Sequence, residues 1–529
     1  VAADVAVTGD RIVSVGTVAE RGGAELDARG MAVSPGFIDV HSHDDFAVLL
    51  DPTMPFKVMQ GVTTDVVGNC GSGVVPYEVG VRRFSRIHPG ARPPDWKGFG
   101  QYLERVQDAG PSLNVAVLMG HGSLRAGAMA MAQRPPTDAE MDQMKAWVRE
   151  GVEGGAVGLS TGLIYEPGRY ARTEEIIELA RELGPDGGLY ATHMRDEAAG
   201  LLDSVREAIR IGEEARVPVQ ISHHKAAGRE NWGKVRITYG LIEEAARTHD
   251  VTFDVYPYIA GSANLSQLVP PWAHVGGPNA MLARLQDPEL RPKVLHDMVH
   301  GTPSWNNFFR IDWRDIRLAY VHSQRNRWMQ SLSVQEAAMR ADRDPVDLTL
   351  DIILEDDNRT TMVNFVMAEE DVDFLLPKPQ SMIGSDGRAF TPGGPTGEGH
   401  PHPRSYGAFP RVFARYVREK GLLRLEDAVH KMTGKPAKKL RLDRRGELRQ
   451  GYFADVVVFV VLAALDDGPL LELRDDLVDA GVEIVRLFRG TRDDERGACL
   501  VDQDRVHLVD DREVVAPLDH RGERELHVV

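Results

Sequence analysis

The chain has 529 residues, 42% of them hydrophobic and 27% charged, with a net charge of −17. That length suits a large catalytic domain with a smaller one beside it, and the acidic balance argues against a nucleic-acid-binding surface. No apolar run reaches the ~18 residues of a membrane span. Cys70 and Cys499 alone build no disulfide framework, so a soluble protein of a reducing, cytoplasmic compartment is expected.

The sequence opens at Val1, already within a strand-like stretch. Residues 1–32 alternate as strands, for example Asp10-Arg11-Ile12-Val13-Ser14-Val15. Strand candidates then follow at 33–40, 62–68, 114–119, 155–160, 188–193, 217–223, 251–256 and 380–386. Amphipathic helices lie between them. Thr137-Asp138-Ala139-Glu140 is a capping box ahead of Met141, Met144, Trp147 and Val148, with Gly151 and Gly154 as the stop. Thr173 opens another helix with Ile176, Ile177, Ala180 and Leu183 on one face, and Leu201, Leu202, Val205 and Ile209 mark a third. Alternating strands and helices of this kind predict a (β/α)8 barrel. An open dinucleotide-binding sheet would need a glycine-rich phosphate turn, and none is present.

The spacing breaks once, between the seventh strand, ending at 256, and the eighth, starting at 380. A structureless loop of that size is improbable. Helical patterns such as Val334–Met339 and Pro345–Leu354 predict an inserted, mainly helical subdomain over about 285–375, placed to act as a lid. The β-like stretch 446–460 matches the one at the N-terminus, so both termini are expected to build one small β-sandwich domain. The expected boundaries are 1–32 and 441–529 for that domain and 33–440 for the barrel. Within 461–529 only pieces such as Val482-Glu483-Ile484-Val485 read as strand.

Active sites of such barrels form at the C-terminal ends of the strands. Strand one ends at His41-Ser42-His43, whose two imidazoles point the same way because side chains alternate along a strand. Strand two leads into Gly68-Asn69-Cys70-Gly71, strand five ends at His193, strand six at His223 and strand eight at Asp386. One thiolate with two or more imidazoles is a zinc-type ligand set, soft enough to disfavour Mg²⁺ and Ca²⁺. The few protein ligands leave a position for water, as catalytic zinc needs. Asp386 is then a natural proton shuttle between water and a leaving nitrogen.

These residues resemble the amidohydrolase superfamily, with HxH after strand one, His after strands five and six, and Asp after strand eight. Within it the chain is similar to the N-acyl-D-amino-acid deacylases (D-aminoacylases). The stretches that carry the likeness are PGFIDVHSHDD, GVTTDVVGNCG, GLSTGLIYEPG, THMRDE, QISHHK, DVYPY with GSA, IGSDG and HPRSYGAFPRV, spread over 35–412, and GELRQGYFADVVVF at the return to the β-domain. The GNCG element is the most specific, since this subgroup uses a cysteine where many relatives bridge two metals with a carboxylated lysine. The resemblance implies a tight Zn²⁺ site at Cys70, His193 and His223, a second, weaker one at His41 and His43, and Asp386 as catalytic acid/base. It implies substrate contacts at Tyr165, Tyr256 and Ser262. Lys225 shares a face with His223 and is a candidate for a substrate carboxylate, whereas His224 points away and reads as structural. His121, in Met119-Gly120-His121-Gly122, is a candidate pocket residue. Val460 and the stretch 461–529 depart from the family pattern.

The expected activity is zinc-dependent hydrolysis of N-acyl-D-amino acids, with a small-molecule substrate and neither nucleic acid nor membrane as partner. The preference for the D form comes from the resemblance alone. Rival readings are a cyclic-amide hydrolase, which the cysteine disfavours, a deaminase, and a non-catalytic scaffold, which would have no need of the metal ligands kept here.

Overall fold

A computed structural model describes residues 2–87, 95–184, 187–302, 305, 312–391, 394, 396–397, 399–461, 482–488 and 498–502. The chain divides into two compact units, one of Asp39–Phe56 and Asp65–Ala408, the other of Val1–Ile38, Lys57–Thr64 and Phe409–Val529.

The chain carries an eight-stranded sheet whose strands follow chain order: Phe37–Asp39, Val62–Val67, Asn114–Gly120, Gly158–Gly162, Leu189–His193, Val219–Ile221, Val251–Val255 and Ser381–Ile383. Described pairs such as Leu159 with Tyr190 and Phe253 with Ser381 run parallel. The first and last strands close the ring just past their ends. There the Asp386 amide donates to His41 O at 2.8 Å and the His43 amide to Gly387 O at 3.0 Å. The barrel expected from the sequence is therefore the fold, and its closure brings the first and last sequence candidates side by side.

The helices form where local chemistry favours them. Thr137 accepts from the Glu140 amide while Glu140 reaches back to the Thr137 amide, the reciprocal cap of Asp138–Glu153. Its Met144 and Val148 are fully buried. Leu201–Ala215 buries Leu201, Val205, Ala208 and Ile211 on one face.

The strand expected over 33–40 is two strands. Ala32–Pro35 pairs antiparallel with Val456–Val461, and Phe37–Asp39 belongs to the barrel sheet. Pro35 has no amide to continue a ladder, and Gly36 passes so close to Thr63 that a Cβ there would lie 2.0 Å from its hydroxyl.

Between the seventh and eighth strands the helices expected at Val334–Met339 and Pro345–Leu354 are present, as Val334–Ala341 and Pro345–Glu355. They are accompanied by an antiparallel sheet of Gly261–Asn264, Thr361–Asn364 and Ile316–Tyr320, which the helical patterns did not announce. Leu265, Met281, Leu318, Val334, Leu350 and Met362 share one buried core, so this segment folds around apolar side chains of its own.

The smaller unit carries a four-stranded sheet in the order Arg11–Gly16, Asp4–Thr8, Ala498–Asp502, Ala24–Asp27 and a three-stranded one of Val482–Phe488, Val456–Val461 and Ala32–Pro35. Of the atypical stretch 461–529, Val461 and the strands Val482–Phe488 and Ala498–Asp502 are described, and the rest lies outside the described residues. Among the described residues no helix is long and apolar enough to cross a membrane.

Candidate metal centre

The side chains of His41, His43, Cys70, His193, His223 and Asp386 converge at the C-terminal ends of the barrel strands. Three overlapping triplets have ligand atoms within 4.8 Å of one another: Cys70, His193 and His223; His41, His43 and Cys70; His41, His223 and Asp386. Cys70 Sγ lies 3.3 Å from His41 Nε2 and 3.7 Å from His223 Nε2. The sequence candidates from five strand ends thus meet in one place.

The backbone that presents them is strained. Cys70, His223 and Asp386 all take left-handed φ values, 54°, 37° and 49°. For a side chain other than glycine that costs about 1–3 kcal/mol, a cost found mostly where function fixes the conformation. The glycines of GNCG have their own reasons. At φ 84° and 71°, a Cβ on Gly68 would meet Leu118 O at 2.2 Å and one on Gly71 would meet Gly162 N at 2.6 Å.

Carboxylates fix the rings. His41 Nδ1 lies 3.2 Å from Asp254 Oδ1, which leaves Nε2 facing Cys70. His223 Nδ1 lies 2.9 Å from Glu197 Oε1, so its Nε2 also faces the thiol. This carboxylate–imidazole arrangement is what orients metal-ligating histidines. His193 is buried, yet among the described residues neither of its ring nitrogens has a hydrogen bond, Glu197 Oε2 standing 3.7 Å from Nε2. A buried unpaired imidazole is costly unless something else takes the lone pair. Orphan nitrogens beside a buried thiol and two oriented imidazoles fit a soft divalent cation.

Asp386 Oδ1 lies 3.0 Å from His43 Nε2 and 3.5 Å from His41 Nε2, and Oδ2 lies 2.7 Å from Arg404 Nη1. Burial pushes the carboxyl up, but Arg404, His41 and His223 outweigh it and hold Asp386 well below the usual carboxylate range. Burial pushes the other way on the imidazoles. His43 is held down at about 3 and His193 well below its ordinary value, so both are neutral. His41 is the exception: Asp254, Cys70 and Asp386 overcome its burial and raise it.

The remaining candidates separate. Tyr165 packs on His193 with ring centroids 4.8 Å apart. Tyr256 is buried between two cations, Arg404 at 5.0 Å and Lys225 at 5.8 Å from its ring. Lys225 Nζ lies 2.6 Å from Glu197 Oε1 and 2.8 Å from His223 Nδ1, so it already has an acidic partner. Ser262 stands on the first strand of the insertion, next to Gly261, where a Cβ would come 3.8 Å from the Tyr256 hydroxyl. His224 bonds Thr238 Oγ1 at 3.0 Å, as a structural residue would. His121 has a carboxylate partner of its own. It is buried with its Nε2 on Glu175 Oε1 at 2.9 Å, and Arg125 fills the same carboxylate.

Sequence reasoning missed Arg404, Glu197 and Asp254. Arg404 stood within HPRSYGAFPRV, Glu197 at the end of THMRDE and Asp254 at the head of DVYPY. Only the folded chain shows that they orient or charge the cluster.

The family model described as "Amidohydrolase family" matches residues 24–254 and 372–480. The D-aminoacylase of Alcaligenes xylosoxydans xylosoxydans is 37% identical over 472 residues, 86% of this chain and 84% of that one. A solved D-aminoacylase, described as having a binuclear metal centre with one-metal activation and second-metal attenuation, is 33% identical with a TM-score of 0.72, covering 92% of this chain and 91% of that one. The N-acyl-D-glutamate deacylase of Bordetella bronchiseptica, solved with zinc and a phosphonate inhibitor, is 30% identical with a TM-score of 0.72 over the same shares. The chain belongs to the amidohydrolase family.

Proposed function

We propose that the protein hydrolyses the amide bond of N-acyl-D-amino acids, giving a carboxylate and a free D-amino acid, with a tight zinc site at Cys70, His193 and His223 and a weaker one at His41 and His43. The observation that carries this reading is the buried His193 ring, neither of whose nitrogens has a hydrogen bond among the described residues, set beside Cys70 and His223. When bound, zinc supplies the Lewis acidity that polarises the scissile carbonyl and makes water nucleophilic near neutral pH.

The chain's own residues do the rest. Asp386 is ionised and faces the histidines through Oδ1, so that oxygen takes the proton of the attacking water. As the C–N bond breaks, it gives the proton to the departing nitrogen. Arg404 holds Oδ2 and fixes the carboxylate for both transfers. Asp254 and Glu197 set the two imidazoles, and Tyr165 and Tyr256 wall the site. Lys225 and Arg404 supply positive charge for the substrate carboxylate, with Ser262 at the rim.

A hydrolysis screen of N-acetyl-D- and N-acetyl-L-amino acids with zinc present tests the reading. Cleavage of N-acetyl-D-methionine or N-acetyl-D-leucine well above the L form is expected. Equal rates, or activity on hydantoins alone, would move the protein to another branch of the family.

A further inference from the structure

A second feature opens beside the metal centre. An open cleft shares His43 with the centre and is lined further by Ser72, Arg83, Phe84, Arg388 and Asp45. Arg83 comes from the helix Tyr77–Ile87 and is exposed, so it stands at the mouth, while Arg388 is half-buried two residues past Asp386. Among the described residues, neither guanidinium has a hydrogen bond or an ion pair. Two like charges in one cleft repel: burial first, then Arg83 and Arg404, hold Arg388 below its ordinary value. Most arginines at such sites have a carboxylate, as Arg404 has Asp386.

The Ser72 hydroxyl lines the same cleft. Ser72 is 8% exposed, and among the described residues its Oγ has no hydrogen-bond partner. A buried hydroxyl left unpaired is a loss unless a ligand takes it. The Asp45 carboxyl lines the same cleft, and among the described residues no ion pair joins it to either arginine. One wall is apolar: Phe46 and Phe84 stack with centroids 5.0 Å apart. Two unpaired guanidiniums, a free hydroxyl and an aromatic wall are the features of a subsite for a short aliphatic chain that ends in a carboxylate.

We propose that this cleft binds a second carboxylate of the substrate, separate from the α-carboxylate, through Arg83, Arg388 and Ser72, so that the enzyme favours dianionic over monoanionic N-acyl-D-amino acids. This rests on the deacylase reading. The carboxylate has two possible sources, an acidic acyl group or an acidic D side chain. Both hang within a few bonds of the scissile amide, as a cleft that shares His43 with the centre requires.

The test compares kcat/KM for N-succinyl-D-leucine, N-acetyl-D-glutamate and N-acetyl-D-leucine in wild type, R83M and R388M. A preference of wild type for one dianionic substrate that falls at least about tenfold in R388M supports the proposal, and the substrate affected identifies the source. A ratio unchanged in both variants overturns it. Glutarate binding by titration calorimetry runs alongside and needs no turnover. If wild type cleaves none of the three, the deacylase reading fails by itself, and glutarate affinity still judges the cleft. Weaker binding in R388M supports the anion site, and equal binding, or none to wild type, rejects it.

Discussion

Asp254 touches His41 and His223 at once: its Oδ1 lies 3.2 Å from His41 Nδ1 and accepts the His223 backbone amide at 2.8 Å. One buried carboxylate therefore sets a ring from the first barrel strand and the backbone of a ligand after the sixth. Gln220 Nε2 fixes its second oxygen at 3.0 Å. Asp254→Asn keeps the size and the acceptor for the His223 amide but removes the charge that orients His41. Metal affinity should fall by about 10- to 100-fold, as for other partners of ligating histidines. Competition with a chelator measures it, and an affinity equal to wild type would remove Asp254 from the metal-orienting set.

The ligand sets predict unequal sites. Thiolate plus two imidazoles should retain about one zinc per chain through exhaustive dialysis, while two histidines should not hold a second. Cys70→Ala and His193→Ala should lose that zinc, and His43→Ala should keep it. Elemental analysis of the dialysed proteins decides between them. Zinc retained in a Cys70→Ala, His193→Ala double variant would mean that the tight site lies elsewhere.

A prediction of a different kind concerns the helix Asp138–Glu153. The Arg134 guanidinium and the Thr137 amide beside Glu140 hold its carboxyl at about 2 against an ordinary 4.5. A carboxyl lowered on folding stabilises the folded state above its unfolded value and loses that contribution as pH falls through the folded one. Glu140→Gln should therefore speed amide exchange in the first turn at neutral pH. The difference from wild type should shrink from about pH 4.5 downward. A gap that stays constant down to about pH 3 would show that the ionised carboxylate is not what holds the cap.

What was legible in the sequence was local, or repeated at equivalent places. His41 and His43 share a strand face by alternation, Cys70 sits in a glycine-rich turn, and Thr137 and Glu140 lie three residues apart, so each could be read without a fold. The repetition at strand ends then brought His193, His223 and Asp386 into the same set. Arg404 could not be read this way, because it meets Asp386 only when the chain after the eighth strand turns back over the barrel. Asp254 and Glu197 look like any strand or loop acid until their partners arrive. His121 misled for the converse reason: its carboxylate partner, Glu175, comes from a helix 54 residues on. The sheet in the insertion was hidden because Gly261–Asn264 and Thr361–Asn364 are four residues each, too short for alternation to show.

The sharpest test falls on Asp386. Hydrolysis of an amide requires that water lose a proton and the departing amine gain one. Asp386 can do both, because Oδ1 faces His43 and His41 while Arg404 anchors Oδ2 and keeps the carboxyl ionised. Asp386→Asn preserves the size and the contact to Arg404, yet it cannot take up a proton at ordinary pH. With proton transfer lost, kcat should fall by at least about 10². Zinc content should stay near normal, since the proposed tight set is Cys70, His193 and His223. Arg404→Met offers a contrast: the carboxylate stays but loses its anchor and part of its cationic surroundings, so activity should fall less than in Asp386→Asn. Steady-state kinetics, zinc analysis and a melting curve on both variants separate the outcomes. A near wild-type kcat in Asp386→Asn would assign the proton to another group. Loss of zinc in that variant would make Asp386 a metal ligand first and require the third triplet, His41, His223 and Asp386, to be the tight one.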